Sequence, residues 1–291
     1  MEKDGTLAGD DDDFEVAAAS FDLFDAYADA LRPFFSAVVR SETVRWFSVP
    51  AAGLDHPVFT MVLQRGARLT NAHVTDIPIS EYVLRSVLDH YQRAGLWRDA
   101  QARSVWDRHE FREVAGSRWL IVGLGAIGEA IATRARAFGA HVTGCRRHPT
   151  GDEPIDAYVG PSDLVAVLPE ADVVVLSLPG EIDAPPLVDA TFLAAMAEGS
   201  MLINIARGSL VDEVALVAAL DRGRPEIAVL DVMVTEPLPF DSPLWTHPRV
   251  VLSPHNSAGG RHRYDRYDDL LVNNLGRYAR GEPLLNEVFL T

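Results

Sequence analysis

The chain has 291 residues, 48% of them hydrophobic, which is enough for two domains with full cores. Its formal net charge of −16, with Lys3 the only lysine, argues against nucleic acid as a partner, since phosphate binding needs clustered cations. No apolar run approaches the ~18 residues that span a bilayer, and the acidic start lacks the basic and apolar halves of a signal peptide. No membrane association is expected. A single cysteine, Cys145, excludes an intrachain disulfide, and a cytoplasmic location is expected.

The acidic opening, residues 1–13, reads as a mobile, solvated segment. A short strand is expected over 14–18, then an amphipathic helix over 21–31. Apolar, β-branched stretches follow at 36–39 and 44–49. Residues 53–63 read as a helix, 68–70 as a strand and 79–93 as a long helix. A second alternation begins at Arg118. Strands are expected at 119–122, 141–145, 173–178, 201–205, 227–230 and 250–252, followed by a last helix over 267–278 and an apolar tail at 283–290. The rhythm predicts an α/β fold of two Rossmann-like domains with parallel sheets. The cofactor domain, 97–263, is inserted into a substrate domain made of 1–96 and 264–291.

The strand at 119–122 runs into Gly123-Leu124-Gly125-Ala126-Ile127-Gly128 and then an Ala-rich helix. In that context the glycines read as a dinucleotide turn. Gly123 permits the tight turn, Gly125 lets the backbone approach a pyrophosphate, and Gly128 lets the helix pack on the sheet. The phosphates would sit at Ala126 and Ile127, on the free N–H groups of the helix start. The next strand ends Cys145-Arg146-Arg147-His148, where an NAD enzyme would carry an acid. Arg146 and Arg147 could instead grip a 2′-phosphate, so NADP(H) is the expected cofactor and NAD(H) the second choice. Two solvated surface arginines are the alternative.

Three later strands carry chemistry to their ends. Asn204-Ile205-Ala206-Arg207-Gly208 delivers a permanently charged planar fork, suited to a carboxylate and an adjacent carbonyl. Leu230-Asp231-Val232 leads to Glu236-Pro237, and Ser253-Pro254-His255 closes the last strand. No metal-ligand constellation is expected.

In this combination and order the segments resemble the D-isomer-specific 2-hydroxyacid dehydrogenase family, with the glyoxylate/hydroxypyruvate reductase-like branch the nearest in character. The resemblance spans about residues 49–287. It implies an NAD(P)-dependent oxidoreductase that acts on small 2-keto or 2-hydroxy acids, with Arg207, Glu236 and His255 as its catalytic set. Arg207 would bind the substrate carboxylate and polarise the keto oxygen. His255 would supply or take the proton, with Glu236 holding the imidazole and favouring its charged form. Asp231 would orient the nicotinamide carboxamide, and Pro179, Ala206 and His255 would complete the cofactor contacts. Ala52 and Gly53, in Val49-Pro50-Ala51-Ala52-Gly53-Leu54-Asp55, would offer backbone N–H groups to the substrate carboxylate, in a cleft between the domains.

A homodimer is implied through the arm at 96–110. The chain departs from the family in three places: a shorter opening, with the first strand–helix unit reduced or missing; Leu178-Pro179-Gly180-Glu181 where a threonine-containing loop is usual; and Arg146 in place of an acid. A cofactor-sensing corepressor-like scaffold and a dehydrogenase of a small anion such as formate or phosphite stand as the other readings.

Overall fold

The computed structural model describes residues 14–25, 27–54, 56–179 and 184–289. The acidic opening therefore lies outside the described residues, as do Asp55, Gly180 and Glu181. The chain divides into two compact units. One comprises the described residues within Met1–Thr75 and Arg261–Thr291; the other is Asp76–Gly260. Among the described residues no helix is long and apolar enough to cross a membrane.

The first unit begins with β1 (Val16–Ala18), α1 (Phe21–Asp25), α2 (Ala28–Arg40), β2 (Trp46–Ser48), α3 (Pro57–Gln64) and β3 (Arg68–Thr70). The stretch 36–39, expected to be extended, lies inside α2. Leu31, Phe34, Phe35, Val38 and Val39 recur at helical spacing, and all five pack in the core of this unit. Burying that stripe outweighs the strand preference of two valines. Helix α3 starts later than Gly53 because Pro57 occupies its first turn and the His56 side chain accepts the Val58 N–H.

The second unit opens with α4 (Asp76–Tyr91) and α5 (Ala94–Ala102). It continues with β4 (Arg118–Val122), α6 (Ala126–Ala137), β5 (His141–Cys145), β6 (Ala157–Val159), α7 (Leu164–Val167) and β7 (Val173–Leu176). It closes with α8 (Ala190–Ala195), β8 (Met201–Asn204), α9 (Glu213–Asp221), β9 (Ile227–Leu230) and β10 (Val250–Leu252). The seven strands are parallel, in the order β10-β9-β8-β7-β4-β5-β6. β6, a three-residue edge strand, was not expected from the sequence. Alternate strand residues feed two cores. Leu120, Val122, Val174 and Leu176 join the cluster on one face, and Trp119, Ile121, Val173 and Val175 the cluster on the other. Strands buried on both faces read as continuous apolar runs, which is why they were legible.

The boundary between units falls at Thr75/Asp76, not at residue 96. Helix α4 buries Ile79, Val83, Val87 and Tyr91 in the same cluster as Trp119, Ile121 and Ile131, so it belongs to the cofactor sheet. The return boundary, Gly260/Arg261, lies close to the expected 263/264.

The chain then re-enters the first unit through α10 (Arg263–Ala279) and β11 (Glu287–Val288). The first unit's sheet has the order β1-β2-β3-β11; the first three strands are parallel and β11 is an antiparallel edge. Arg68 and Glu287 join β3 to β11 through two 2.7 Å charge-assisted hydrogen bonds. The Arg68 hydrogen bond holds the Glu287 carboxyl below the usual carboxylate range. A depressed folded value gives stability that is complete above the unfolded value of about 4.3 and is lost as pH falls through the folded value. Glu287→Gln should cost about 1–2 kcal/mol at neutral pH. Urea unfolding should show that gap closing below about pH 4; a gap of constant size would mean that the charge plays no part.

Candidate active site

The turn after β4 has the geometry the glycines suggested. Gly123 has φ +104, and a Cβ there would lie 2.6 Å from the Leu178 backbone nitrogen. A Cβ on Gly128 would collide with the Gly123 carbonyl oxygen, so this glycine brings α6 against the turn. A Cβ on Gly125 would meet nothing within 4 Å, so its open side faces free space at the helix start. No side chain caps α6. The first-turn N–H groups of Ala126, Ile127 and Gly128 therefore keep their donors for an outside acceptor. This cradle fits a dinucleotide pyrophosphate.

Arg146 follows β5 directly. Its Nη1 donates to Glu153 at 3.1 Å and approaches Glu129 at 3.5 Å. Arg147 beside it is exposed and makes its own interactions. Pro179 lies exposed beyond β7.

Strand β8 ends in a turn fastened by buried Asn204. Its side-chain amide donates to the Arg207 carbonyl at 2.8 Å and its oxygen accepts the Ala206 N–H at 3.0 Å. Ala206 is buried, while Arg207 is half-buried, with Nη1 on the Ala206 carbonyl at 2.7 Å. Gly208 packs so closely on the Met233–Val234 backbone that no Cβ fits between them.

Beyond β9, Glu236 does two things. One carboxylate oxygen accepts the Met233 N–H at 3.0 Å, and the other lies 2.8 Å from His255 Nδ1. A carboxylate can only accept, so Nδ1 carries the hydrogen. Nε2 has no partner among the described residues, and the ring is half-exposed. His255 sits at φ +51, an unusual conformation for a non-glycine residue. Asp231 holds it there. Its carbonyl accepts the His255 N–H at 2.7 Å. Its buried carboxylate accepts the Asn256 and Ser257 N–H groups and the Ser253 and Ser257 hydroxyls. Tyr82 of α4 completes the chain on Ser253, at 2.7 Å.

The ends of β8, β9 and β10 thus bring Arg207, Glu236 and His255 to one edge of one sheet, and the dinucleotide turn lies at the same edge. Ala52 and Gly53 belong to the first unit, on the β2–α3 connection. The Ala52 carbonyl accepts from Asn71 at 3.2 Å. The sequence reading overlooked Asn204, Ser253 and Ser257. Asn204 and Ser253 stand inside the Asn204–Gly208 and Ser253–His255 motifs, but a positioning role through loop contacts leaves no signature in one sequence.

Residues 84–257 match the family model described as D-isomer specific 2-hydroxyacid dehydrogenase, NAD binding domain. Glyoxylate/hydroxypyruvate reductase A of Salmonella newport (strain SL254) is 30% identical over 218 residues, covering 73% of this chain and 67% of that protein. A D-isomer specific 2-hydroxyacid dehydrogenase family protein from Aeromonas salmonicida subsp. salmonicida A449 superposes with TM-score 0.79 at 30% identity, over 94% of this chain and 84% of that one. A D-isomer specific 2-hydroxyacid dehydrogenase from Xanthobacter autotrophicus Py2, solved in complex with NADPH and MES, gives TM-score 0.78 at 29% identity, over 99% and 88%. This chain therefore belongs to the D-isomer specific 2-hydroxyacid dehydrogenase family and is an NAD(P)-dependent oxidoreductase acting on 2-hydroxy acids.

Proposed function

We propose that the protein reduces small 2-keto acids, glyoxylate and hydroxypyruvate first among them, to D-2-hydroxy acids, and that it prefers NADPH to NADH. The 2.8 Å pairing of Glu236 with His255 Nδ1, at the sheet edge that also carries Arg207, supports this reading most directly. NADPH, when bound, supplies the hydride that reduces the keto carbon. Arg207 binds the substrate carboxylate and draws electron density toward the keto oxygen. His255 donates the Nε2 proton to that oxygen as the bond is reduced, so no free alkoxide accumulates. Glu236 keeps Nδ1 protonated and turns Nε2 toward the substrate. In the oxidative direction neutral His255 takes the hydroxyl proton. Ala52 and Gly53 are carried over as carboxylate-binding residues on the resemblance of their loop alone.

The cofactor preference rests on Arg146 and Arg147 at the end of β5, where a carboxylate would repel a 2′-phosphate. kcat/KM should be higher with NADPH than with NADH, and Arg146→Asp should reverse or strongly narrow that preference. A parent enzyme that favours NADH would defeat the assignment.

We also propose a homodimer built on the arm from α5 to Phe111. Leu96, Trp97, Trp106 and Phe111 are all exposed there, Trp106 at 88%. Light scattering that gave a monomer mass at every concentration would count against it.

A further inference from the structure

Arg146 is the residue on which the NADP reading depends, and it is not a loose surface cation. Its Nη1 is held by Glu153 at 3.1 Å, and the Glu153 side chain is only 3% exposed. Glu153 is itself fixed: one oxygen accepts the Thr150 N–H at 2.6 Å and the other the Gly151 N–H at 2.8 Å. Those bonds, the Thr150 one first, hold its carboxyl down to about 2, so it is an anion at any working pH. The Arg146 backbone is tied as well, because the Tyr158 hydroxyl of β6 donates to its carbonyl at 2.5 Å. Nε and Nη2 of Arg146 make no hydrogen bond among the described residues. They form the paired edge with which a guanidinium grips a phosphate.

We infer that Glu153 is a positioning residue for cofactor choice: it pins one arm of Arg146 and so presents the free Nε/Nη2 edge to the 2′-phosphate. The inference deepens the NADP reading and depends on it. Glu153 itself is too buried to touch the ligand. A restrained arginine loses less freedom on binding than a free one, which corresponds to roughly a three- to tenfold gain in affinity per long side chain held. The opposite effect, repulsion between Glu153 and the phosphate, is already offset by the arginine between them.

The test is calorimetric titration of the whole protein with 2′,5′-ADP and with 5′-AMP, which differ only in the 2′-phosphate. Glu153→Gln keeps the side-chain size and one acceptor oxygen, but puts an N–H donor in place of the other and removes the charge that holds Arg146. It should weaken 2′,5′-ADP by roughly three- to tenfold and leave 5′-AMP unchanged. In an Arg146→Ala background the same change should do nothing further. Equal weakening of both nucleotides would show a merely structural role for the loop and overturn the inference. Unchanged or tighter 2′,5′-ADP binding would overturn it too. If Arg146→Ala left the ratio of the two affinities as in the parent, the NADP reading would fall and the inference with it. If Arg146→Ala collapsed the ratio and Glu153→Gln did not, only the inference would fall.

Discussion

His255→Ala should lower kcat for 2-keto acid reduction by roughly 10²–10⁴-fold, the usual cost of losing a positioned general acid. KM should change little, because substrate binding is assigned to Arg207. The geometry makes the prediction specific. Nδ1 is committed to Glu236, so Nε2 is the nitrogen able to exchange a proton with substrate. Glu236→Gln keeps the shape of that contact but removes the charge facing the imidazolium. Reduction and oxidation should then both slow, with kcat falling more than KM, because the ring is held less firmly with Nε2 toward the substrate. Pre-steady-state and steady-state rates in both directions would resolve these effects. Near-parental kcat in His255→Ala at neutral pH would require another proton donor, and the role given to Glu236 would fall with it.

Gly208→Ala should lower kcat/KM by about 100-fold, although it adds only one methyl group. The new carbon would fall on the backbone of Met233 and Val234. That backbone cannot yield cheaply. The Met233 N–H is bound by Glu236 and the Val234 N–H by Glu213 at 2.8 Å. The methyl must therefore part the loop that carries Arg207 from the loop that carries Glu236. Overpacking of this kind costs about 1–3 kcal/mol of stability, and a displacement near 1 Å at a reacting centre costs about 10²-fold in rate. Binding of 2′,5′-ADP, which reaches only the ends of β4 and β5 on the other side of β7, should be nearly unchanged. Comparing kcat/KM, Tm and nucleotide affinity for this variant separates the effects. Parental kcat/KM would mean that the contact between the two loops does not set the site.

What could be read from the sequence followed burial. β9 lies where its apolar run placed it, and β4, β7 and β8 lie within two residues of theirs, because both faces of that part of the sheet are covered and the runs are nearly unbroken. The stretch 36–39 looks extended because Ser36-Ala37-Val38-Val39 ends in two valines, until the full 31–39 spacing is counted. β6 escaped because Ala157-Tyr158-Val159 is short and exposed on two of its three residues. The unit boundary was misplaced because an amphipathic helix does not declare which sheet receives its apolar face.

The site divides in the same way. Arg207, Glu236 and His255 stood out by residue type at strand ends. The groups that aim them act through loop backbone: Asn204 on the Arg207 turn and the Asp231 carboxylate on the His255 turn. The Asp231 carboxylate oxygens accept several hydrogen bonds from the Ser253–Ser257 segment. Nothing in Leu230-Asp231-Val232 announces that task. Glu153 was equally silent, being one acid among many in a chain of net charge −16.

The most direct test of the central claim is NADPH consumption by the purified protein with glyoxylate, hydroxypyruvate and larger 2-keto acids, run beside NADP⁺ reduction with formate and phosphite. The account predicts turnover with the small 2-keto acids, formation of the D-hydroxy acid, and none with formate or phosphite. Tight NADPH binding without turnover of any 2-keto acid would contradict it.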